Sequence, residues 1–439
     1  MSEVSSLRAE TTPVADPPDL LELSRASGAS PFFYWEHPVS GTAIAALGSV
    51  VELRASGARR FQDLSSRARE VLSQINVSSH AGEPCDGPLM VGGFGFSDRD
   101  PAAYEWREFP AACVMLPRIL WIRRRGRCTL TRVWDEQREK RPDPAFPSPI
   151  AAVGACESNL NGVCDPEPAL AEQRARWRER VERARAMVKR GVLSKVVLSR
   201  RIEVECADVD PSALLRASRK TRPGCFSFWF SRATTSLFGS TPELLVRVEG
   251  DRVSSGALAG SAPRGSSPEQ DRALGESLLA CRKNLEEHEY VREAIKSALG
   301  SVADHLQIPG KPALMRLPEA QHLFTPVEAR LRGRHSAIEV AGLLHPTPAV
   351  CGVPRETARE LIEREEPGRG WYAGTVGWMD GAGNGEFAVA LRSALIDGPR
   401  MFLWAGAGIV ADSDPQAEFA ETEAKFSALL RSSGIDHAG

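Results

Sequence analysis

The sequence lacks the features that mark nucleic-acid-binding and membrane proteins. Its formal net charge is −2 over 439 residues, whereas a nucleic-acid surface needs a basic excess or stripe. The short run Arg123–Arg125 is typical of a hairpin turn. No apolar run approaches the roughly 20 residues that span a bilayer, and the N-terminus has no basic segment followed by an apolar one. We therefore expect a cytoplasmic protein with no nucleic-acid and no membrane partner.

Cysteine is present without a recognisable pattern. The nine cysteines form no CxxC pair and no cluster with histidine at zinc spacing, so we expect reduced thiols. No short-period repeat is visible. A hydrophobic content of 42% and a charged content of 26% are typical of a globular protein, and the length allows one large domain or two to three ordinary ones.

The order of predicted elements divides the chain into three parts. Residues 1–27, rich in proline, serine and acidic residues, predict a mobile lead-in. Residues 28–165 form the N-terminal part of the fold, and residues 166–432 carry the candidate chemistry, after a proline-rich linker from Arg141 to Pro168. One long helix is predicted from Pro268 to Val302. Strands and helices mix without a strict βαβ rhythm, which favours an α+β fold with large, mostly antiparallel sheets and surrounding helices.

The stretch from Met401 to Leu430 changes from an apolar strand to a glycine-spaced corner and then to a helix. Asp414 before Pro415 is typical of a helix start. On the helix, Glu418, Glu421 and Lys425 share one side, opposite an apolar side of Phe419, Phe426 and Leu430. This pattern fits a solvated face with an ion pair, or a ligand site, because Gly406 and Gly408 let the backbone approach a ligand.

Glu287 belongs to an acidic run, but helical spacing places it with the apolar residues of its helix. A buried carboxylate must be paired, protonated or bound to a metal. Structural burial is one reading. The other is a shared site with Glu418 and Glu421, because carboxylates around one hard cation are typical of Mg²⁺ binding.

Three further charged residues lie in apolar surroundings. Lys195 begins a β-branched run, either as an edge-strand lysine or as a buried amine that serves as a base. Glu243 enters a strand, either exposed or in a dry site where it would keep its proton and act as a general acid. Arg392 ends a predicted strand beside two alanines, where it would bind an anion or pack against a neighbouring side chain.

Eight segments, taken in order, resemble the chorismate-utilising enzymes. They are SKVVLSR from Ser194, TPELLVR from Thr241, ALAGSAPRG from Ala257, EEHEYV from Glu286, LHPTPAVCGVP from Leu344, YAGTVGW from Tyr372, GNGEFAVALR from Gly383, and AGAGIVADSDPQAEFAET from Ala405 with Lys425 after it. This family includes isochorismate, salicylate, anthranilate and aminodeoxychorismate synthases. The segments are most similar to siderophore-type isochorismate synthases, and they imply the fold of anthranilate synthase component I.

The resemblance implies a Mg²⁺-dependent isomerisation of chorismate to isochorismate, in which water attacks C2 and the C4 hydroxyl leaves. Lys195 would be the base and Glu243 the acid. Glu287 and Glu421 would hold Mg²⁺, with Glu418 in support. Substrate-binding positions by the same resemblance are Tyr372, Arg392, Gly408 and Lys425 around the enolpyruvyl carboxylate, Gly260 and Ser261 at the ring carboxylate, and Ala349, which favours water over ammonia as nucleophile.

The resemblance also frames the alternatives. No glutaminase signature is present, so we expect no obligatory glutaminase subunit. We also expect a monomer. By the resemblance, its product feeds 2,3-dihydroxybenzoate and catecholate siderophores. Tyr372 stands where several isochorismate synthases have phenylalanine and salicylate synthases tend to have tyrosine, so a salicylate synthase that also eliminates pyruvate is an alternative. A catalytically silent chorismate-binding partner subunit is another. For His322 and His345 we expect structural roles.

Overall fold

The structure is a computed structural model that describes residues 6–23, 30–79, 86–139, 141, 167–205 and 209–432. Over these ranges it contains eight α-helices, which we number α1 to α8. They are Arg60–Ser73, Glu167–Lys189, Pro211–Thr221, Pro268–Ala280, Arg282–Gly300, Ala337–Leu344, Arg355–Glu365 and Pro415–Ser432. None of these described helices is long and apolar enough to cross a membrane.

In the same described residues, twenty strands, β1 to β20, join in one hydrogen-bonded network. In chain order they are Leu7–Pro13, Phe32–His37, Thr42–Ala55, Asn76–Ser79, Leu89–Phe94, Ala112–Arg124, Arg127–Asp135, Lys195–Glu205, Phe226–Arg232, Thr235–Thr241, Leu244–Glu249, Arg252–Pro263, Ala303–Gln307, Ala313–Arg316, Ala320–Leu331, Gly352–Val353, Thr375–Asp380, Gly385–Val389, Ser393–Asp397 and Arg400–Ile409. Apart from β1 with β4, the described pairings are antiparallel, so the predicted α+β class with mostly antiparallel sheets is confirmed.

The network branches at β6. One arm runs through β3, β2, β9, β10, β19, β20 and β8. The other arm runs through β5, β17, β18, β11, β12 and β15. Strands β5 and β6 therefore tie the N-terminal third of the chain to β17 and β18 near its C-terminal end.

Strand β2 shows why the arms carry continuous apolar runs. Side chains on a strand alternate between the two faces of the sheet. Phe33 and Trp35 of β2 enter one hydrophobic core, whereas Phe32 and Tyr34 enter a second core on the opposite face. Because both faces are covered, the strand has no solvent face that would need polar residues.

The final helix follows its sequence signal. Asp414 Oδ1 accepts a hydrogen bond of 2.8 Å from the backbone N–H of Ala417, so the predicted start at Pro415 is confirmed. Phe419, Phe426 and Leu430 are buried, as predicted. Glu418, which the pattern places on the charged side, is also buried, because the helix packs against β20 and lies over a cavity.

Three sequence expectations differ from the structure. The lead-in is ordered over residues 6–23, because β1 pairs with β4 and β7 and Leu20 and Leu21 are fully buried. The long helix is two helices, since Cys281 between them has an extended backbone (φ −73°, ψ 110°). Arg392 lies beyond the end of β18 at Val389, in a turn where its φ is +48°. Most of the predicted linker, Arg141–Pro168, lies outside the described residues.

Candidate active site

A cavity of about 610 Å³ lies between the two arms of the sheet. Strands β8 and β20 line it on one side, β12 and β15 on the other, and α5 and α8 contribute charged side chains. Its volume falls within the range of about 300–1,000 Å³ that is typical of small-molecule sites. Eleven of the twelve predicted site residues line it: Glu243, Gly260, Ser261, Glu287, Ala349, Tyr372, Arg392, Gly408, Glu418, Glu421 and Lys425.

The twelfth residue, Lys195, lies directly behind the cavity wall. Its side chain is fully buried, and its Nζ lies 2.7 Å from Glu287 Oε1. The edge-strand reading of Lys195 is therefore wrong, since β8 pairs with β20 and with β16. Burial alone would raise the pKa of Glu287, but the ammonium groups of Lys195, Lys425 and Lys283 outweigh burial and lower it. The pair is thus a charged one.

Gly408 makes room for this pair. A Cβ atom at residue 408 would lie 2.8 Å from Glu287 Oε1 and 3.1 Å from Lys195 Cε. The first distance is shorter than real side chains adopt, so a side chain here would push the lysine and the glutamate apart. The glycine spacing of β20 therefore serves a close approach, although the approaching groups are protein side chains.

Glu243 lies in the short connection between β10 and β11 and is 5% exposed. Its backbone N–H donates to Thr241 Oγ1 at 3.2 Å, and its carbonyl accepts from the N–H of Val389 at 3.0 Å. Burial raises the pKa of the Glu243 carboxyl to about 7, even though the charge of Lys195 acts in the opposite direction. At neutral pH this carboxyl therefore exists in both protonation states, as an acid–base catalyst requires.

Glu418 and Glu421 each pair with a lysine. Lys283 Nζ lies 3.3 Å from Glu418 Oε1, and Lys425 Nζ lies 2.7 Å from Glu421 Oε1. Lys425 also donates to the carbonyl of Gly406 at 2.6 Å. Burial raises the pKa of Glu418 and nearby Glu421 adds to this effect, against the lowering influence of Lys283.

The carboxylates suit a hard cation in chemistry, but they do not form a compact metal cluster. Across the described ranges, no three His, Cys, Asp or Glu side chains come together as a metal-binding group. Glu287, Glu418 and Glu421 nevertheless line one cavity from two helices. Mg²⁺ usually keeps several waters and takes only one or two protein carboxylates. The donor set therefore fits Mg²⁺ if the lysines release these side chains.

A chain of polar contacts crosses the other end of the cavity. Ser261 Oγ lies 2.9 Å from His322 Nδ1, and a terminal nitrogen of Arg392 lies 3.2 Å from His322 Nε2. Burial and the charges of Arg392 and Lys425 lower the pKa of His322 to about 3, so its ring is neutral. Because arginine only donates, Nε2 accepts and Nδ1 carries the proton. His322 thus orients both neighbours instead of merely filling space.

A buried ion pair that the sequence did not predict holds Tyr372 and residues Pro348–Val350, which we call the Ala349 segment. Arg369 donates to both oxygens of Glu366 at 2.7 and 2.8 Å and to the carbonyls of Val350 and Val197 at 2.7 Å each. Ser199 donates to Glu366 from its N–H and its hydroxyl. Strand β8, the Ala349 segment and the turn before Tyr372 are therefore fixed to one another. The three-residue spacing of Glu366 and Arg369 was the available signal.

Tyr372 itself is buried and stacks on Trp404, with ring centroids 6.0 Å apart. Burial raises the pKa of its phenol, so the hydroxyl stays protonated at neutral pH. His345, by contrast, is a structural residue, as predicted: its Nε2 lies 3.3 Å from the carbonyl oxygen of Phe96, its ring lies 5.7 Å from that of Phe61, and it does not line the cavity.

Comparison with known proteins agrees with this geometry. The family model of chorismate binding enzymes matches residues 2–434. The salicylate biosynthesis isochorismate synthase of Pseudomonas aeruginosa is 35% identical over 432 residues, which cover 94% of this chain and 87% of that protein. The isochorismate synthase MenF of Bacillus subtilis is 31% identical over 415 residues, which cover 92% of this chain and 88% of that protein.

Two solved structures share the fold. The menaquinone-specific isochorismate synthase MenF of Escherichia coli superimposes with a TM-score of 0.78 at 27% identity, covering 97% of this chain and 94% of its own. Anthranilate synthase component I of Streptococcus pneumoniae gives a TM-score of 0.65 at 20% identity, covering 89% and 92%. The second likeness concerns the fold alone and confirms the predicted anthranilate-synthase-like architecture.

Proposed function

We propose that this chain, which belongs to the chorismate-binding enzyme family, is an isochorismate synthase. The observation that carries the proposal is the buried Glu243 carboxyl, whose pKa of about 7 suits a proton donor, in the same cavity as Glu287, which pairs with Lys195 behind the wall. Full-length similarity to proteins named isochorismate synthase supports it.

The acid half of the reaction falls to Glu243. Hydroxide is a poor leaving group, so the C4 hydroxyl of chorismate must gain a proton as its bond to the ring breaks. A carboxyl with a pKa near 7 is still partly protonated at neutral pH, so it can give its proton to the leaving hydroxyl and become a carboxylate. The apolar surroundings of Glu243 therefore serve the chemistry directly.

The base half falls to Lys195, which would take the proton from the water that attacks C2. An amine must be neutral to accept a proton, whereas in the structure the ammonium of Lys195 is paired with Glu287 at 2.7 Å. The base role therefore requires that Glu287 finds another positive partner when substrate is bound. A divalent cation held by Glu287 and Glu421, with Glu418 in support, would supply that charge and neutralise the ring carboxylate.

Chorismate carries two carboxylates, and the cavity has separate groups for each. Arg392 and Lys425 provide positive charge for the enolpyruvyl carboxylate, with Tyr372 and Gly408 lining the same cavity. Gly260 has a φ of +80°, which lets the backbone beside Ser261 turn toward the ring carboxylate. Two fixed anchors orient the ring so that its C2 and C4 faces meet different catalytic groups.

We expect turnover of chorismate to depend on Mg²⁺. Removal of divalent cations with EDTA should lower the rate by at least about 10²-fold, because the cation supplies several kcal/mol of charge stabilisation, and added Mg²⁺ should restore it. Steady-state assays over a Mg²⁺ titration measure this. Full activity in EDTA would contradict the proposed role of the metal. It would leave the assignments of the acid and the base unchanged.

Product analysis tests the function as a whole. Purified protein incubated with chorismate and Mg²⁺ should form isochorismate without pyruvate, and added ammonium or a glutaminase should not change the product, since Ala349 leaves no hydroxyl beside the nucleophile. Equimolar salicylate and pyruvate would instead establish the salicylate synthase alternative, which the hydroxyl of Tyr372 favours. Binding of chorismate without any product would indicate a silent partner subunit. A monomeric cytoplasmic state stays a prediction.

The use of the product is a separate proposal. We propose that isochorismate feeds 2,3-dihydroxybenzoate and catecholate siderophores, which rests on the motif resemblance. The names of the relatives refer to 2,3-dihydroxybenzoate, to salicylate and to menaquinone, so they do not choose between these uses. Loss of catecholates from cultures of a deletion strain under iron limitation supports the siderophore branch, whereas unchanged catecholates with depleted menaquinone contradict it.

Gly408→Ala should lower kcat for isochorismate formation by about 10²-fold, because displacements near 1 Å of catalytic groups have effects of that size. The added methyl group would push Glu287 away from Lys195. Gly310→Ala is the matched control, since a Cβ there meets nothing within 4 Å. Wild-type kcat in Gly408→Ala would show that the spacing of this pair does not matter for the reaction.

A further inference from the structure

One end of the cavity contains two guanidinium groups joined by a carboxylate, and only one of the three residues belongs to the predicted site. Glu319 accepts a hydrogen bond of 3.2 Å from Arg222 Nε. Its other oxygen contacts a terminal nitrogen of Arg392. All three residues line the cavity. The contact of Arg392 with Glu319 therefore brings Arg222 into the same binding surface.

The three residues come from separate elements, so the contact is a built feature of the fold. Arg222 follows the C-terminus of α3, Glu319 lies in the turn between β14 and β15, and Arg392 lies in the turn between β18 and β19. Their side chains are 10%, 19% and 21% exposed, respectively. Burial alone would raise the pKa of Glu319, but Arg392 and Arg222 outweigh it and lower that pKa, which keeps the carboxylate charged.

Several N–H groups of Arg222 and Arg392 remain available to bind a ligand. An arginine has five N–H donors, and Arg222 uses Nε for Glu319; within the described parts of the chain its two terminal nitrogens have no hydrogen-bond partner. Arg392 uses one terminal nitrogen for Glu319 and the other for the neutral His322, with one N–H on each still available. The end of the cavity thus holds two positive charges against one negative charge. This excess of one charge matches a single carboxylate.

We propose that Arg222 is a further substrate-binding residue, which binds the same carboxylate as Arg392, and that Glu319 is the positioning residue that holds the two guanidinium groups side by side. The proposal rests on the proposed function, and the ligand group is a carboxylate on a small dianionic substrate. A fork of terminal N–H donors on Arg222 suits a carboxylate in a way that a lysine does not.

The first test is the kinetics of Arg222→Met with chorismate. Loss of this contact should raise KM by about tenfold, which corresponds to about 1.4 kcal/mol, while kcat stays within about twofold, because the group binds substrate and transition state alike. Arg222→Lys, which keeps the charge and loses the fork, should raise KM by about threefold. Arg69→Met is the control, since Arg69 pairs with Glu339 at 2.9 Å outside the cavity.

The second test isolates the positioning role of Glu319. In a Glu319→Gln background, Arg222→Met should raise KM by less than about threefold, because the guanidinium is no longer held in place. Glu52→Gln is the matched background: Glu52 also bridges two arginines, Arg54 and Arg232, at 2.6 and 2.9 Å, with 23% exposure, but it does not line the cavity. There the tenfold effect should persist.

The outcomes separate this inference from the proposed function. A wild-type protein that does not convert chorismate overturns the proposed function. A converting wild type with Arg222→Met KM within twofold of it overturns the role of Arg222, and additive effects of Arg222→Met and Glu319→Gln overturn the positioning role. If Arg222→Met does not fold, the KM of Arg222→Lys decides: an unchanged value overturns the inference, and a threefold rise supports it.

Discussion

Lys195→Ala should lower kcat for isochorismate formation by about 10³-fold to 10⁴-fold, the upper part of the range for a general base. The lysine is fully buried and its ammonium is 2.7 Å from Glu287, so truncation leaves no amine at this position. Truncation also removes the positive charge that outweighs burial at Glu287, and the pKa of that carboxyl should rise. Steady-state assays of isochorismate formation measure the decrease in kcat.

Two controls separate chemistry from folding in the Lys195 experiment. Lys189→Ala, at the exposed end of α2, should behave as the wild type in activity and melting temperature. Methylamine should partly restore Lys195→Ala, because it fits the volume left by the side chain and supplies a base there. A folded Lys195→Ala enzyme with more than a tenth of the wild-type kcat would refute the assignment of the base.

Glu243→Gln should lower kcat by about 10²-fold to 10⁴-fold, since the amide has the shape of the acid but no carboxyl proton to donate. The pH dependence follows from the raised pKa. The acid form of Glu243 is present below its pKa of about 7 and is lost above it, so wild-type kcat/KM should fall as pH rises through 7. That limb should be absent in Glu243→Gln. An unchanged alkaline limb in the variant would assign the titration to another group.

The same substitution should stabilise the folded protein at high pH. The folded pKa of Glu243 is raised from 4.5 to about 7, so the protonated carboxyl favours the folded state below pH 4.5 and this contribution disappears as pH rises through 7. Its loss amounts to at most on the order of 3 kcal/mol. Glu243→Gln should therefore melt at a higher temperature than the wild type at pH 8 and near the same temperature at pH 4.5. Glu249→Gln, on the exposed end of β11, should show no such difference.

Sequence patterns predicted the structural features that depend on residues close together in the chain. The N-cap at Asp414, the packing side of the final helix and the inward direction of Glu287 depend on neighbours within a few residues, and the structure shows each of them. The buried stripe next to Glu287 is nevertheless His288, Val291, Ile295 and Leu299. Glu287 lies at its edge, which is why it faces a cavity and not the core.

The misses arise from long-range packing. The residue at which the helix breaks, Cys281, is neither a proline nor a glycine. No local signal therefore predicts the break that separates α4 from α5. Arg222, Glu319 and Arg392 are distant in sequence, and only the meeting of three turns brings them together. The pairing of Glu287 with Lys195 and of Glu418 with Lys283 was also not predictable, because helical spacing gives a direction but no partner on another element.

The Arg369–Glu366 pair has a consequence for how this scaffold can change over evolutionary time. By fastening the carbonyl of Val350, it immobilises the backbone next to Ala349, so a new side chain at that position would meet the bound ligand and could not swing aside with its loop. If Ala349 selects water over ammonia, as the resemblance implies, a single codon change there would exchange the nucleophile while the framework stays intact. Diversification of this kind needs rigidity beneath the variable position, and the buried pair provides it.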